Sequence, residues 1–388
     1  MISRDYSDKI LELSTKFPVI TVTGPRQSGK STLVQSLFSE KSYISLEDPD
    51  ERAFASTDPR GFLSSYPKGA ILDEVQHVPA LFSYIQGIVD KANKPGMFIL
   101  SGSQNFLLME KITQTLAGRT AICQLLPLSK TELQKAKLLG TSDQLIYTGG
   151  YPRIYDQQIA PADFYSGYVR TYLERDVRQV KNISDHSHFT KFIKLCAARL
   201  GSVLNLQSLA NDCGISVNTA KSWLSVLQTG YIIYLLPPYH NNFNKRLMKS
   251  PKLYFYDTGL ACYLLGIHNV EQVATHFLRG GLFENLIVTD IMKHFLNKGK
   301  EAPLYFWKDK THKEIDLIVE KGNRKFSAIE IKSGETRTDD FFKNFDYWNS
   351  ITGNTNADNT VVYAGLRKVT SSKGSYVPFM NWEKELKL

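Results

Sequence analysis

Three short apolar runs in the first hundred residues have the composition of buried strands. Residues 17–23, 69–72 and 97–101 are rich in Val, Ile, Leu and Phe, and each run leads into glycine or polar residues. Such runs are typical of parallel strands that are buried on both faces. The pattern predicts an α/β domain with a parallel sheet and flanking helices over residues 1–150.

The middle of the chain has the pattern of two short helices. Residues 204–211 have helical apolar spacing, Gly214 interrupts it, and Ser216 precedes a second helical stretch at 217–228. Two short helices joined by a turn that contains glycine are typical of a helix-turn-helix. We therefore interpret residues 151–264 as a helical domain of the DNA-binding kind.

A predicted strand pair with a basic loop follows the second helix. The strands are expected at residues 231–236 and 252–256, and the loop between them contains Lys245, Arg246 and Lys249. A basic hairpin behind a helix-turn-helix is the wing of a winged-helix fold. The three cations are therefore candidate nucleic-acid contacts.

Positive charge is concentrated in this part of the chain. The formal net charge is +9, and residues 164–260 hold twelve Lys and Arg against five Asp and Glu. A basic segment is the footprint expected for polyanion binding, and Lys221 adds one cation on the second helix. We expect nucleic acid, DNA rather than RNA, to bind here. A solvated basic surface and a winged helix used for protein packing are the alternatives.

The last third of the chain combines strands and helices in another order. Residues 314–319 and 326–332 alternate around a turn and predict a hairpin. Two helices and a further strand are predicted at 286–295, 339–349 and 360–363. This order indicates an α+β domain over residues 265–388.

No apolar stretch is long enough to span a membrane. The longest, residues 231–239, has nine residues and contains two prolines, whereas a membrane helix needs about 18. The first dozen residues are rich in charge, and the four cysteines form no CxxC pair. We therefore expect a cytoplasmic protein without a membrane partner.

The first predicted strand runs directly into a phosphate-binding loop. Residues 24–31 match the pattern G-x-x-x-x-G-K-[ST], and a helical stretch follows. In such loops backbone N–H groups and a helix N-terminus surround phosphate oxygens, while the lysine neutralises the β- and γ-phosphates and the serine ligates Mg²⁺. The motif predicts ATP and Mg²⁺, with Lys30 and Ser31 in these roles. The predicted ATP-binding residues are Gly24, Pro25, Arg26, Gln27, Ser28, Gly29, Lys30, Ser31 and Thr32.

Two acids end the second predicted strand. Asp73 and Glu74 follow the apolar residues 70–72, at the edge of a parallel sheet where ligands of such folds bind. We expect Asp73 to hold Mg²⁺ through water and Glu74 to orient and deprotonate the attacking water.

Three further positions are candidates for the same reaction. Ser103 and Gln104 follow the third predicted strand and are expected to sense the γ-phosphate or position the water, with a helix-capping turn as an equal alternative. Arg119 follows Gly118 and is predicted to be an arginine finger, with a surface charge as the alternative. Action within one chain and action across a homo-oligomer are both open for Arg119.

These motifs together resemble the AAA-superfamily ATPases of bacteria and archaea. The N-terminal motifs are TGPRQSGKSTL, AILDEVQ, ILSGSQN and LAGRT…LLPLSKTEL. Five more motifs resemble the subgroup whose C-terminal half is an uncharacterised helical and nuclease-like domain: GGYPRI, YLERDV, LYFYDTGLACYLLG, GGLFENLIVTDI and EIDLIVE…AIEIK. The resemblance spans essentially the whole chain and implies an ATP hydrolase.

The C-terminal hairpin carries a candidate nuclease site. Glu330 and Lys332 share one strand face, and hairpin pairing brings Asp316 near them. Clustered carboxylates hold the metals of two-metal phosphodiester hydrolysis, and a cation steadies the water or the transition-state charge. The pattern D-x13-E-x-K resembles the restriction-endonuclease-like core, and this resemblance adds Glu284 as a fourth active residue. It implies Mg²⁺ or Mn²⁺ at Glu284, Asp316 and Glu330.

Two functions are consistent with these features. The first is an ATPase coupled to nucleic-acid processing through its own metal-dependent nuclease domain. The alternative is a nucleotide-dependent molecular switch whose nuclease-like domain binds nucleic acid or a protein partner without cleavage. The intact Lys30, Ser31, Asp73 and Glu74 argue against an inactive scaffold.

Overall fold

The structure is a computed structural model, and it describes residues 2–103, 114–173, 186–239, 250–311, 313–322 and 325–386. None of the helices in these ranges is both long and apolar enough to cross a membrane.

The N-terminal part is built on a five-stranded sheet. Its strands are β1 (Val19–Thr23), β2 (Ser42–Ser45), β3 (Ala70–Asp73), β4 (Phe98–Gly102) and β5 (Thr120–Gln124). They lie in the order β2-β3-β4-β1-β5, and every neighbouring pair is parallel. Because parallel strands end at the same edge, the residues that follow β1, β3 and β4 meet there. The predicted parallel α/β sheet is therefore confirmed.

Helices cover this sheet. They are α1 (Ser7–Ser14), α2 (Lys30–Leu37), α3 (Pro49–Thr57), α4 (Pro59–Ser64) and α5 (Leu81–Ala92). One hydrophobic core on the sheet contains Ile20 and Val22 of β1 with Leu33 of α2, and another contains Val19 and Leu72. Strands β1, β3 and β4 are buried along their whole length, which explains their uninterrupted apolar sequences.

The middle of the chain is mainly helical. Its elements are α6 (Lys130–Lys135), α7 (Ser142–Thr148), α8 (Pro152–Asp156), α9 (Pro161–Tyr168) with a π-helical extension (Val169–Leu173), α10 (His186–Ala197), α11 (Leu206–Cys213), α12 (Val217–Thr229), β6 (Ile233–Leu236), β7 (Lys252–Phe255), α13 (Thr258–Leu264) and α14 (Val270–Thr275). Strands β6 and β7 pair antiparallel.

The two helices expected in the predicted helix-turn-helix are present as α11 and α12. The Asn205 side chain caps α11, Gly214 ends it with φ +82°, and the Ser216 side chain caps α12. The residues of the predicted wing, Lys245, Arg246 and Lys249, lie outside the described residues.

The C-terminal part contains a long helix and a mixed sheet. The helices are α15 (Arg279–Asn297), α16 (Lys343–Thr352) and α17 (Trp382–Glu385), and the strands are β8 (Leu304–Lys308), β9 (Glu314–Glu320), β10 (Phe326–Lys332), β11 (Asn359–Tyr363), β12 (Val369–Ser371) and β13 (Gly374–Pro378). The strand order is β12-β13-β11-β10-β9-β8. Strand β10 pairs antiparallel with β9 and parallel with β11, so the predicted hairpin is present.

Helix α15 begins seven residues earlier than the sequence predicts, and includes Gly280 and Gly281. A Cβ atom on Gly281 would lie 3.2 Å from the carbonyl oxygen of Leu200, so the glycine permits close packing on that turn. A large core runs from the middle helices onto one face of the C-terminal sheet. The predicted boundaries near residues 150 and 264 stay predictions.

Candidate functional site

The phosphate-binding loop connects β1 to α2, as predicted. Gly24 has φ +145°, and a Cβ atom there would lie 2.1 Å from the carbonyl oxygen of Leu125. Gly29 has φ +90° and directly precedes the first residue of α2, Lys30. Both glycines therefore permit a backbone path that other residues would strain. The path places the N-terminus of α2 beside the loop.

The Lys30 side chain points back into the phosphate-binding loop. Its ammonium group donates to the carbonyl oxygens of Gly24, at 3.0 Å, and Pro25, at 2.8 Å. The residue is 5% exposed, and this burial lowers the pKa of Lys30 to about 8, although the Glu74 and Asp73 carboxylates oppose the shift. A positive charge is thus held at the centre of the loop.

Three hydroxyl groups surround the carboxylate of Asp73 at the end of β3. It accepts hydrogen bonds from Ser31 at 2.7 Å, Tyr43 at 2.6 Å and Ser101 at 2.5 Å. The two residues predicted to hold Mg²⁺, Ser31 and Asp73, are therefore in direct contact. Sequence reasoning missed Tyr43 because nothing in the short strand β2 distinguishes it from a surface tyrosine.

Glu74 points into the same region from an uncommon backbone conformation, with φ +51°. Its carboxylate accepts hydrogen bonds from the backbone N–H of Ser103, at 3.3 Å, and from the Ser103 hydroxyl, at 3.1 Å. The Gln76 side-chain amide donates to the same oxygen. Ser103 therefore positions the predicted base, whereas Gln104, the other predicted sensor, lies outside the described residues.

Arg119 lies at the opposite end of the parallel strands from the phosphate-binding loop. It immediately precedes β5, its carbonyl oxygen accepts from Val19 at the start of β1, and its guanidinium group pairs with Asp90 through two contacts of 2.5 and 2.9 Å. A five-residue strand spans about 15 Å, so the loop at the other end of β1 is out of reach. This position argues against a finger role of Arg119 within its own chain, which is one of the two alternatives that the sequence leaves open.

An open cavity of about 450 Å³ lies over the loop and is bordered by the middle segment. Arg26, Lys30, Ser31 and Glu74 contribute to one side. On the other side are residues of α8 and the position after it: Pro152, Arg153, Asp156 and Gln157. Arg153 donates to the side-chain oxygen of Gln157 at 2.9 Å. The GGYPRI motif drew attention to this segment in the sequence, but the position of the segment beside the phosphate loop was not predictable.

A second cavity of about 300 Å³ adjoins the first. It shares Gly29, Thr32 and Pro152 with the phosphate cavity and adds the apolar side chains of Ile2 and Leu33. One end of a bound molecule would therefore meet charged groups and the other end would meet an apolar wall.

Arg4 braces the phosphate loop from the N-terminal segment. Its guanidinium group donates to the carbonyl oxygens of Ser28, at 2.7 Å, and Leu126, at 2.6 Å, and to the Glu132 carboxylate, at 2.9 Å. Arg4 and Glu132 are both buried. The loop is thus tied to α6, a connection that no local sequence pattern indicates.

The C-terminal hairpin brings three of the four predicted nuclease residues together. Lys332 donates to Glu330 at 2.6 Å and to Asp316 at 3.4 Å. The backbone N–H of Ile331 donates to Asp316 at 2.8 Å. Burial and the neighbouring Asp316 carboxylate raise the pKa of Glu330 well above its usual value.

Glu284 joins this group through a lysine that the sequence did not single out. The Lys252 ammonium group, on β7, lies 2.8 Å from Glu284, 2.5 Å from Glu314 and 3.9 Å from Asp316. Burial raises the pKa of Glu284 to about 7, which Lys252 opposes. A metal at Glu284, Asp316 and Glu330 therefore requires displacement of Lys252.

No group of three or more His, Cys, Asp or Glu side chains is arranged to hold a metal ion within the residues that the structure describes.

The structure describes one of the four predicted nucleic-acid contacts. Lys221 is exposed on α12, but the other three candidates lie outside the described ranges.

Comparison with known sequences divides the chain into three matched segments. Residues 16–134 match the family model of an AAA domain, whereas residues 140–271 and 279–382 each match a domain of unknown function. The chain is 28% identical over 337 residues to an uncharacterized protein of Mycobacterium tuberculosis, covering 86% of this chain and 74% of that protein. A further uncharacterized protein, from Haemophilus influenzae, is 22% identical over 389 residues, with coverage of 90% and 92%.

Solved structures show weaker likeness. The Walker-type ATPase of Pyrococcus abyssi aligns with a TM-score of 0.48 and 15% identity, over 68% of this chain and 96% of that one. DnaA of Aquifex aeolicus, bound to AMPPCP, aligns with a TM-score of 0.31 and 16% identity, over 57% and 85%. The assignment rests instead on the AAA match and the loop itself, which together identify residues 16–134 as a P-loop ATPase domain of the AAA type.

Proposed function

We propose that this chain is a Mg²⁺-dependent ATP hydrolase whose nucleotide state is coupled to nucleic-acid binding by the middle segment. The observation that carries the proposal is the 2.7 Å contact between Ser31 and Asp73 beside the buried Lys30. Their hydroxyl and carboxylate oxygens are the ligand types that Mg²⁺ prefers. When bound there, Mg²⁺ neutralises charge on the β- and γ-phosphates.

The loop residues bind and orient the triphosphate. The Lys30 ammonium group exchanges its contacts with the Gly24 and Pro25 carbonyls for phosphate oxygens, and the backbone N–H groups of residues 26–32 surround the same oxygens. The adjoining apolar cavity, with Ile2 and Leu33, accommodates the nucleoside.

Glu74 acts as the general base of the reaction. Ser103 holds one carboxylate oxygen through two hydrogen bonds, and this contact orients Glu74 towards the phosphate cavity. A carboxylate so placed orients the attacking water and accepts its proton.

The middle segment responds to the nucleotide through one residue that faces the phosphate cavity and one direct contact with β1. Arg153 of α8 faces the phosphate cavity, and the Tyr231 hydroxyl, just after α12, lies 3.0 Å from the hydroxyl of Thr23 at the end of β1. The Tyr231 contact joins the end of β1 to the segment that directly follows the helix-turn-helix, whereas Arg153 faces the loop across the cavity. Occupation of the loop can thereby alter the position of α12.

We expect Arg153→Ala to raise KM for ATP about tenfold, because one charge-assisted hydrogen bond to phosphate is lost. Steady-state hydrolysis over a range of ATP concentrations measures this effect. Arg60→Ala is the matched control, because Arg60 is an exposed arginine of α4 that does not line this cavity. Equal KM values for the Arg153→Ala variant and the unmutated protein would place the arginine away from the nucleotide.

Nucleic acid, with DNA preferred to RNA, is the proposed partner of the middle segment. The support is the surplus of positive charge over residues 164–260 and the exposed Lys221 on the second helix of the helix-turn-helix. The direct test is the ATPase rate with and without DNA or RNA, together with cleavage of the same molecules. A rate that neither polymer changes would argue against coupling.

Replacement of Lys245, Arg246 and Lys249 by Ala should weaken DNA binding equally across sequences. Three phosphate contacts would be lost, so the slope of log affinity against log salt should decrease by up to about three. Binding titrations at several salt concentrations measure the slope. An unchanged slope would show that this loop does not contact phosphates.

The switch alternative accounts better for the C-terminal part than nuclease activity does. The specific observation is Lys252, whose ammonium group lies among the carboxylates that would have to hold the catalytic metals. In this version the C-terminal domain binds a partner without cleavage. Arg119, remote from its own loop, remains a candidate finger for a neighbouring copy in a homo-oligomer.

A further inference from the structure

The last residue of the AILDEVQ motif, Gln76, is a buried polar side chain two positions after Glu74. It is 5% exposed and belongs to a short 3₁₀ helix (Val75–His77). Its neighbours Val75 and Val78 are buried in the hydrophobic core of the sheet. The side-chain amide of Gln76 donates to Oε2 of the Glu74 carboxylate. An apolar environment thus contains one amide group whose hydrogen bond is made to the general base.

The hydrogen bonds to Glu74 are divided unequally between its two carboxylate oxygens. Oε2 accepts from Gln76, from the backbone N–H of Ser103 at 3.3 Å and from the Ser103 hydroxyl at 3.1 Å. Within the described part of the chain, no donor forms a hydrogen bond with Oε1. Glu74 lines the phosphate cavity, whereas Gln76 does not. Three donors therefore hold one oxygen and leave the other for a water molecule in the cavity.

Two features of this turn are unfavourable for the fold. The Glu74 backbone is left-handed, with φ +51° and ψ +43°. The side-chain carbonyl oxygen of Gln76 is buried and has no hydrogen-bond partner among the described residues. The reverse orientation of the amide would set this oxygen against the Glu74 carboxylate, so the NH₂ group has to face Glu74 and the oxygen has to point away. Unfavourable local geometry of this kind clusters at functional sites.

We propose that Gln76 is a positioning residue for Glu74, an inference that rests on the proposed ATPase function. Gln76 and Ser103 hold Oε2 from two elements, the 3₁₀ helix after β3 and the end of β4. Two anchors on one oxygen block rotation of the Glu74 carboxylate. Oε1 thereby stays directed at the attacking water, and the base is in place before the nucleotide binds.

The test is Gln76→Met in the full-length chain, since Met is unbranched, of similar size and without a hydrogen-bonding amide. The kcat for ATP should fall roughly 10- to 100-fold because the base is no longer fixed, whereas KM should change by less than about twofold because the phosphate loop is intact. Tm should stay the same or rise, because the buried unpaired oxygen is removed. Steady-state kinetics and thermal unfolding measure these quantities. A merely structural glutamine would instead lower Tm when replaced.

A double-mutant cycle with Glu74→Gln separates positioning from packing. If Gln76 acts only through Glu74, adding Gln76→Met to Glu74→Gln should lower the residual rate by less than about twofold. Gln76→Glu is a second single variant of the same shape; it sets a carboxylate against Glu74, so kcat should fall at least as far. Gln86→Met is the matched control, because Gln86 is a half-buried glutamine of α5 that does not line the cavity, and its kcat should be unchanged.

Three results would overturn the proposal. The first is a kcat of the unmutated protein in both Gln76 variants. The second is a fall in Tm with a parallel rise in KM for Gln76→Met, which would make the residue structural. The third is an equal effect of Gln76→Met with and without Glu74→Gln. In all three the unmutated protein hydrolyses ATP and the proposed function stands, whereas absence of hydrolysis by the unmutated protein would overturn both.

Discussion

Replacement of Glu74 by Gln is expected to stop ATP hydrolysis while ATP remains bound. The amide oxygen of Gln can accept the same hydrogen bonds from Ser103, but it cannot take a proton from water. Lys30, Ser31 and Asp73 are unchanged, so the nucleotide and Mg²⁺ keep their ligands. Turnover should fall by about 10²- to 10⁴-fold, as expected for loss of general-base catalysis. Phosphate release and equilibrium ATP binding measure the two effects separately.

Lys30→Ala is the contrasting variant. It removes the charge at the centre of the loop, so ATP binding itself should be lost along with turnover. Ser103→Ala should have an intermediate effect, because the backbone N–H of Ser103 still holds Glu74. Hydrolysis by Glu74→Gln at the rate of the unmutated protein would show that another group is the base.

Arg4→Ala is expected to lower the free energy of unfolding by about 3–5 kcal/mol, the range for breaking a buried ion pair. The change leaves the buried Glu132 carboxylate without its guanidinium partner and removes donors from the Ser28 and Leu126 carbonyls. Because Ser28 belongs to the phosphate loop, KM for ATP should also rise. Urea denaturation and steady-state kinetics measure the two quantities.

Lys135→Ala is the matched control on α6. Lys135 pairs with Asp5 at 2.5 Å, but its side chain is 60% exposed, and surface pairs contribute about 0–1 kcal/mol. Arg4→Lys should not restore stability, since an ammonium group cannot reproduce the planar fork that reaches three acceptors. Unfolding curves that coincide for Arg4→Ala and the unmutated protein would refute the role of Arg4 as a brace.

The phosphate loop was predictable because all its parts are adjacent in sequence. Strand β1, residues 24–31 and helix α2 follow one another directly, and the two glycines mark the turns. Asp73 was predictable for a related reason, since an acid after a buried parallel strand must lie at the edge where the loop lies. Arg119 shows the limit of this reasoning, because a position after glycine does not tell which end of the sheet it occupies.

The C-terminal hairpin likewise combines contacts that the sequence could predict with one that it could not. Alternation along β9 and β10 was enough to place Asp316, Glu330 and Lys332 together, and the structure confirms their contacts. Lys252 has no such signal, because its neighbours in sequence form a strand of a different sheet. Its contact with Glu284 arises from the packing of β7 against α15.

The amino-acid sequence by itself determined the buried strands β1, β3 and β4, the hairpin of β9 and β10, the phosphate loop and the acids at the strand ends, because these depend on local spacing and on which face of an element is apolar. Tertiary structure alone decided that Arg4 reaches Ser28, that Arg153 faces the phosphate cavity and that Lys252 lies among three acids. Periodicity indicates that a face will be buried but not which distant element will cover it. Those contacts are set when the elements pack, since burial and charge pairing are then satisfied together.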